Sequence, residues 1–176
     1  MGETPRVLVE TILGDIEINV DEVKAPLTSV NFLRYVDAGL YDGTTFFRAV
    51  TMDNQPNDAV KIEVIQGGQV DKAREYSPIV HETTAMTGIK HLDGVISMGR
   101  LRPGSAASNF FICINDQPEL DYGGLRNPDL QGFSAFGKVT QGMDIVRIIH
   151  AQPRERQKLA PPIPILKVTR VSPKTN

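Results

Sequence analysis

The chain has 176 residues, 40% hydrophobic and 23% charged, with a formal net charge of −2 at pH 7. Such a length fits one domain over residues 1–176, able to bury most of the apolar surface its unfolded form would expose. The charge argues against a nucleic-acid partner, no stretch reaches the ~18–20 apolar residues of a membrane span, and the single cysteine, Cys113, excludes an internal disulfide and a Cys-based metal site.

The start, MGETPRVLVE, has no basic stretch followed by an apolar one, so no signal peptide is read there. A cytoplasmic monomer is expected, or a periplasmic one if a leader has been removed. RVLVETILGDIEINV (residues 6–20) has two alternating segments broken at Leu13-Gly14-Asp15, which predicts a β-hairpin. In APLTSVNFLRYVDAGLYDG, Pro26 precedes a predicted helix and Thr28 or Ser29 is the candidate cap. Val30, Leu33, Tyr35 and Val36 suit one helical face, and Gly39 is the candidate stop.

TTFFRAV (44–50) is β-branched and aromatic, hence a strand. TMDNQPNDA (51–59) is a polar excursion around Pro56, and VKIEVIQGG (60–68) returns as a strand ending in two glycines. DGVISMGR (93–100) is another strand, and LRPGSAAS (101–108) is a loop. In SNFFICIN (108–115), alternation puts Asn109, Phe111 and Cys113 on one face and Phe110, Ile112 and Ile114 on the other. One face is uniformly apolar; the other mixes an amide, a ring and a thiol. On periodicity alone, both phenylalanines could still belong to the core. A loop rich in Gly, Pro, Asn and Asp spans 115–132, FSAFGKV (133–139) is strand-like, and MDIVRIIHA (143–151) is a second amphipathic helix. The tail passes through a proline-rich stretch into a final strand. About eight short strands and two helices with no internal repeat predict a mainly β fold, a closed antiparallel barrel with the helices outside it.

Familiar catalytic patterns are missing: there is no P-loop, no GxGxxG after a strand, no HExxH and no GxSxG. His81 and Glu82 are adjacent and point to opposite faces of a strand, which is poor metal geometry. His91 and His150 have structural readings, the latter as a partner of a helix C-terminal dipole. No serine is marked as activated, and no metal or cofactor is expected. Arg48 is the oddity, because a guanidinium on an apolar strand must find acceptors. The plain reading is an arginine that snorkels to the rim or pairs with an acid. Gln66, Asn109 and Phe111 also sit on strands of the same small barrel. If the four converge, they make a shallow site with a fixed cation, amide donors and an apolar cup, without a base or a nucleophile.

Together these stretches resemble the cyclophilins, the peptidyl-prolyl cis-trans isomerases. FFRAV resembles the family's F-H-R-V, VIQGGQ its F-M-x-Q-G-G-D, GVISMGR its G-x-x-S-M-A, and SNFFIC its S-Q-F-F-I. FGKVTQGMDIV is similar to F-G-x-V-x-x-G-M-x-V-V, and the matches run in family order from about Val7 to Val171. The resemblance implies an eight-stranded barrel capped by two α-helices, and an enzyme that accelerates rotation about Xaa-Pro bonds and assists protein folding. It implies Arg48 as the catalytic arginine, Gln66 beside it, and Phe111 as the floor of the proline pocket. Asn109 stands for a family Gln, Val64 for the pocket methionine, Leu120 for a pocket leucine, and Phe133 where eukaryotic members often have His. Gly99 and Arg100 match the backbone segment that pairs with the substrate. Proline-containing peptides and unfolded or folding proteins are the implied partners.

The sequence also departs from the family. Glu63 replaces a phenylalanine, and residues 51–63 hold an insertion between Arg48 and Gln66, from which Ile62 is a candidate substitute wall. The extra chain is expected to form a flap at the rim, with Asp53 and Asp58 biasing the groove toward basic peptides. The chain has no tryptophan, which in this family implies weak cyclosporin binding. A proline-peptide-binding module of the same fold with little turnover is the competing reading; it would tolerate loss of Arg48, so retention of Arg48, Gln66 and Phe111 favours an enzyme.

Overall fold

A computed structural model describes residues 4–172. The first two strands, β1 (Arg6–Thr11) and β2 (Gly14–Val20), form the expected hairpin. Its turn is tighter than Leu13-Gly14-Asp15: Thr11 pairs with Gly14 across Ile12 and Leu13. The Thr11 hydroxyl closes that turn, donating to the Gly14 carbonyl (2.7 Å) and accepting from the Leu13 N–H (3.1 Å).

The remaining strands are β3 (Thr45–Val50), β4 (Val64–Gly67), β5 (Val95–Met98), β6 (Phe110–Cys113), β7 (Ala135–Gln141), the two-residue β8 (Arg154–Glu155) and β9 (Lys158–Arg170). They pair antiparallel in the order β1-β2-β7-β5-β6-β4-β3-β9, and β1 pairs back onto β9, which closes an eight-stranded barrel. The short β8 hairpins onto β9 outside that ring. Closure leaves no free sheet edge along the ring.

Two strand limits differ most from expectation. The strand read from Val60 begins at Val64, because the backbone of Val60 and Ile62 is bonded to the side chains of Arg126 and Gln55 rather than to a neighbouring strand. The proline-rich stretch, read as a lead-in, belongs to β9 itself. Pro161 and Pro162 fall where β9 slips out of register with β3, between the pairs Arg48↔Lys158 and Phe46↔Ile163, so no ladder N–H is demanded of them.

The first helix, α1 (Pro26–Asp37), begins with Pro26 in its first turn, and its Ala25 cap has no side-chain acceptor. Thr28 and Ser29 are therefore inside the helix rather than at its cap. The first turn is satisfied from far along the chain. The Glu82 carboxylate accepts from the N–H of Leu27 (3.2 Å), the N–H of Thr28 (2.7 Å) and the Thr28 hydroxyl (2.5 Å). A negative group there also meets the positive end of the helix dipole. The helix stops as expected: Gly39 adopts φ +67°, its N–H donates to Val36 O, and the Leu40 N–H reaches back to Tyr35 O. Phe32, Leu33, Tyr35 and Val36 are buried, whereas Val30 is 53% exposed and does not share their face.

Glu82 lies just before a single helical turn, α2 (Thr84–Thr87), capped by Thr83 and closed at Gly88. The last helix, α3 (Met143–His150), packs on β2, β3 and β4 through Val146 and Ile149. His150 does not serve its own helix end; its Nε2–H donates to the Val50 carbonyl (2.8 Å). Inside the barrel, Phe32 of α1 meets Tyr41, Phe110 and Phe136 at ring separations of 5.4, 5.6 and 5.0 Å. None of the described helices is long and apolar enough to cross a membrane.

Glu82→Ala should cost about 2–3 kcal/mol, because it strands two N–H groups and a buried hydroxyl at once. Urea unfolding followed by circular dichroism reads that cost directly. A loss below ~0.5 kcal/mol would mean that water replaces the carboxylate at the start of α1.

Candidate active site

Pairing register assembles the site on the outer face of the barrel. Arg48 lies opposite Gln66, Gln66 opposite Phe111, and Phe111 opposite Ser97, one continuous row across β3, β4, β6 and β5. Val50, Val64 and Cys113 make the next row. Cross-strand partners project to the same side, so the two rows share one face. With Ile62 and Leu120 the apolar members form a cluster separate from the core, and Phe133 packs against it.

The two phenylalanines of SNFFICIN part company here. Phe110 is fully buried among Phe32, Tyr41 and Phe46, all edge-on to it. Phe111 belongs to the outer cluster, edge-on to Phe133 with centroids 5.1 Å apart.

Simple alternation would point Arg48 into the barrel with Phe46. A bulge prevents that: Phe46 pairs with Gly67 and Arg48 with Gln66, so β3 spends one extra residue, Phe47, where β4 spends none. Ala49 then returns to the core and Val50 to the outer cluster.

Arg48, Ile62, Val64, Gln66, Gly99, Arg100, Phe111, Leu120 and Phe133 enclose a cup of about 80 Å³, room for one small ring. All but one of the anticipated site residues line it. Asn109 does not. It stands behind Gln66, accepting from Gln66 Nε2 (2.7 Å) and donating to Gln69 Oε1 (2.9 Å), on a wider groove of about 690 Å³ that passes Gly99 toward Tyr76. A Cβ at position 99 would run into the Asn109 amide, so glycine keeps the junction of cup and groove open.

Arg48 is fixed on both edges. Nη1 donates to Gln66 Oε1 (3.0 Å), while Nε (2.9 Å) and Nη2 (2.7 Å) both donate to Gln157 Oε1. Burial, and then the nearby Arg126 guanidinium, push the Arg48 pKa below its ordinary value, opposed by Asp58. The Arg100 side chain is spent on structure. It grips Asp129 through two bonds (2.9 and 3.0 Å), donates to the Gly132 carbonyl, and lies 5.0 Å over the Phe133 ring.

The insertion is not a free flap. Gln55, 1% exposed, bonds the Thr51 carbonyl and both backbone groups of Ile62, and Arg126 ties Gln55 and Val60 to the long loop. This brings Ile62 into the cup, while Glu63 turns away and accepts from Asn115 Nδ2 (2.9 Å). The two acids meet cations, Asp58 beside Arg126 (3.5 Å) and Asp53 beside Arg154 (3.4 Å), which offsets the charge expected to select basic peptides.

Behind Phe111 lies a group that sequence reasoning missed. The His91 ring is stacked near-parallel to Phe111 (5.9 Å, 13°), with Nδ1–H donating to Asp121 Oδ1 (2.7 Å) and Nε2 bonded to Ser97 Oγ (2.9 Å). The order Ser-His-Asp is that of a nucleophilic triad, yet Ser97 and His91 are fully buried and no carbonyl can reach the hydroxyl. It acts as a polar backing for the Phe111 ring. It is tied to the site by the His91–Phe111 stacking and by the Ser97–Phe111 strand pairing, and nothing in local spacing announces Asp121. Cys113 lies alongside, its thiol pKa pushed up by burial and by Asp121, Asp93 and Asp116.

The family described as cyclophilin type peptidyl-prolyl cis-trans isomerase/CLD matches residues 6–170. This chain is a member of that family. The chain is 37% identical over 140 residues to peptidyl-prolyl cis-trans isomerase A of Dickeya dadantii, covering 79% of this chain and 67% of that one. It is 34% identical over 147 residues to isomerase B of Escherichia coli, covering 80% of each. The fold matches a crystal structure of a cyclophilin type isomerase from Cryptosporidium parvum, obtained in the presence of the dipeptide Ala-Pro. That match has a TM-score of 0.75 at 20% identity and covers 96% of this chain and 99% of the other. The barrel, its isomerase class and its cyclophilin membership all agree with the sequence expectation.

In this isomerase the two rings should separate by assay. Phe110→Ala should lose ~3–5 kcal/mol of stability, while Phe111→Ala should lose less stability and more substrate affinity. Thermal melts beside peptide titrations would show it, and a reversed ranking would reverse the faces.

The Asp121 carboxyl is held below its ordinary 3.8: burial alone would raise it, and hydrogen bonds from the His91 ring and backbone outweigh that. A depressed folded pKa contributes stability that is present above 3.8 and is lost as pH falls through the lower folded value. Urea midpoints of wild type and Asp121→Asn should therefore converge on acidification, and a constant gap would remove the carboxylate charge from the account.

Proposed function

We propose that the cup seats the pyrrolidine ring of an Xaa-Pro segment on Phe111, and that Arg48 lowers the barrier to rotation about the preceding amide. The observation that carries this is the shared outer row of Arg48 and Phe111, with the guanidinium clamped at both edges beside a cup sized for one small ring. A guanidinium has five N–H groups, and three are committed, so one N–H on each terminal nitrogen is left for substrate.

The barrier of ~18–20 kcal/mol reflects partial double-bond character between carbonyl carbon and nitrogen. No bond is broken, so no acid, base or metal is needed. A donor aimed at the prolyl nitrogen finds a localised lone pair only in the twisted state, and an interaction made only there lowers the barrier rather than tightening ground-state binding. Val64, Ile62, Leu120 and Phe133 wall the ring while the carbonyl side turns. Gln66 both orients Arg48 and keeps an amide at the rim for the substrate carbonyl. Because the Gly99 N–H is already donated to the Asn109 carbonyl (3.0 Å), pairing with an extended substrate falls to the Gly99 carbonyl and the Arg100 backbone. Proline-containing segments of folding proteins are the substrates this geometry fits, and crystallisation of the Cryptosporidium isomerase in the presence of Ala-Pro supports that class.

Arg48→Ala should lower kcat/KM at least tenfold, about 1.4 kcal/mol of transition-state stabilisation, with the fold retained. Arg48→Lys should also be poor, since an ammonium cannot span Gln66 and Gln157 together. A protease-coupled assay on Xaa-Pro peptides measures both. Turnover of Arg48→Ala near wild type would leave a proline-binding module in place of an enzyme.

A further inference from the structure

The clamp on Arg48 has two sides, and only Gln66 faces the cup. The other holder, Gln157, sits in the turn between β8 and β9, more than a hundred residues from Arg48 in sequence. Two bonds settle where its side chain goes. The Gln157 carbonyl accepts from the Ala49 N–H (2.9 Å), which seats the turn against β3 one residue beyond Arg48. The Gln157 amide Nε2 donates to the Asn54 carbonyl (3.1 Å), which aims its oxygen at the guanidinium. Asn54 is itself fixed: its side chain donates to the carbonyls of Ala49 (2.9 Å) and Arg156 (3.0 Å) and accepts from the Thr51 N–H (2.7 Å). Residues 51–54 are the root of the insertion. They bind β3 and the β8–β9 turn together directly behind Arg48.

The chemistry of the holder matters as well. A carboxylate would grip Nε and Nη2 more strongly, but it would neutralise the cation that the twisted amide is to feel. An amide oxygen accepts both N–H groups and adds no charge. Gln66, on the other edge, is also an amide.

We propose that Gln157 is a positioning residue for the isomerase reaction, an uncharged back brace that holds Arg48 square to the cup, and that the root of the insertion serves to aim it. The brace acts through Arg48 and rests on the reading of Arg48 as the catalytic cation. It gives the insertion a role in the reaction at its base, where it touches Gln157, in addition to the Ile62 wall at its far end.

The test uses Gln157→Met, which keeps the length of the side chain and removes the acceptor, with Gln157→Ala as a second variant should the first fold poorly. Each is made in the full chain, alone and in an Arg48→Ala background. Exchange NMR on a proline peptide gives kcat and KM separately. With Arg48 present, Gln157→Met should lower kcat by about tenfold with KM within about twofold, as expected for a misaligned group. In the Arg48→Ala background the same change should have no further effect, which is the non-additivity of two residues acting as one. The Arg48 Nε–H should exchange with solvent faster in Gln157→Met at an unchanged melting temperature. Unchanged kcat with Arg48 intact, or an equal loss in both backgrounds, would overturn the brace. Wild-type kcat in Arg48→Ala alone would instead overturn the reading on which it rests.

Discussion

Between Phe46 and Arg48, β3 carries one residue more than the strand it faces, and a guanidinium that alternation would send into an aromatic core is turned outward instead. A cation in that core, among Phe32, Phe46, Phe110 and Phe136, would have no acceptor and a desolvation cost far beyond what a marginally stable domain could absorb. Outward, it meets two amide oxygens and an open cup. The bulge thus settles two matters at once, the dryness of the interior and the position of the reactive group. A register slip of one residue on either side would lose both.

The wall of β4 and β6 then separates two aromatic systems that differ in what surrounds them. Inside, the phenylalanine rings meet other rings and aliphatic chains, and Tyr41 adds a hydroxyl bond to the Ser108 carbonyl (2.8 Å). Outside, Phe111 is bracketed by His91 on one side and Phe133 on the other, and each of those is tied to a carboxylate, His91 directly and Phe133 through Arg100. Rigidity of the cup therefore comes from polar ties behind apolar surfaces. An apolar floor presented to a small ring needs such backing, because few contacts are available to hold it from the open side.

How much of this could be read from the chain depends on the range of the cause. The two faces of SNFFICIN follow from a period of two and were legible, as was the stop at Gly39, where one residue's conformational freedom decides. Arg48 could be singled out as odd, but its face could not, since a bulge is a property of a pair of strands. Val30 repeats with the buried positions of α1 and yet faces solvent. The start of α1 misled for another reason: Thr28 has the chemistry of a cap, yet its hydroxyl is a donor to Glu82, more than fifty residues away. Gln157 and Asp121 belong to the same class. Their partners are set by the closure of the barrel, and no local pattern marks them. Ile62, the candidate substitute wall, does line the cup, and Glu63 beside it turns away to Asn115.

Cys113 adds a different kind of consequence. The thiol is fully buried against the back of the cup and its pKa is raised, so the nucleophilic thiolate is suppressed both by access and by ionisation while the wall is closed. It is also the only thiol in the chain. Any alkylation therefore records moments when the outer apolar cluster opens around Cys113, and its rate under slow labelling reports the free energy of that opening. The molecule carries its own clock for the breathing of its active-site wall, with no probe attached.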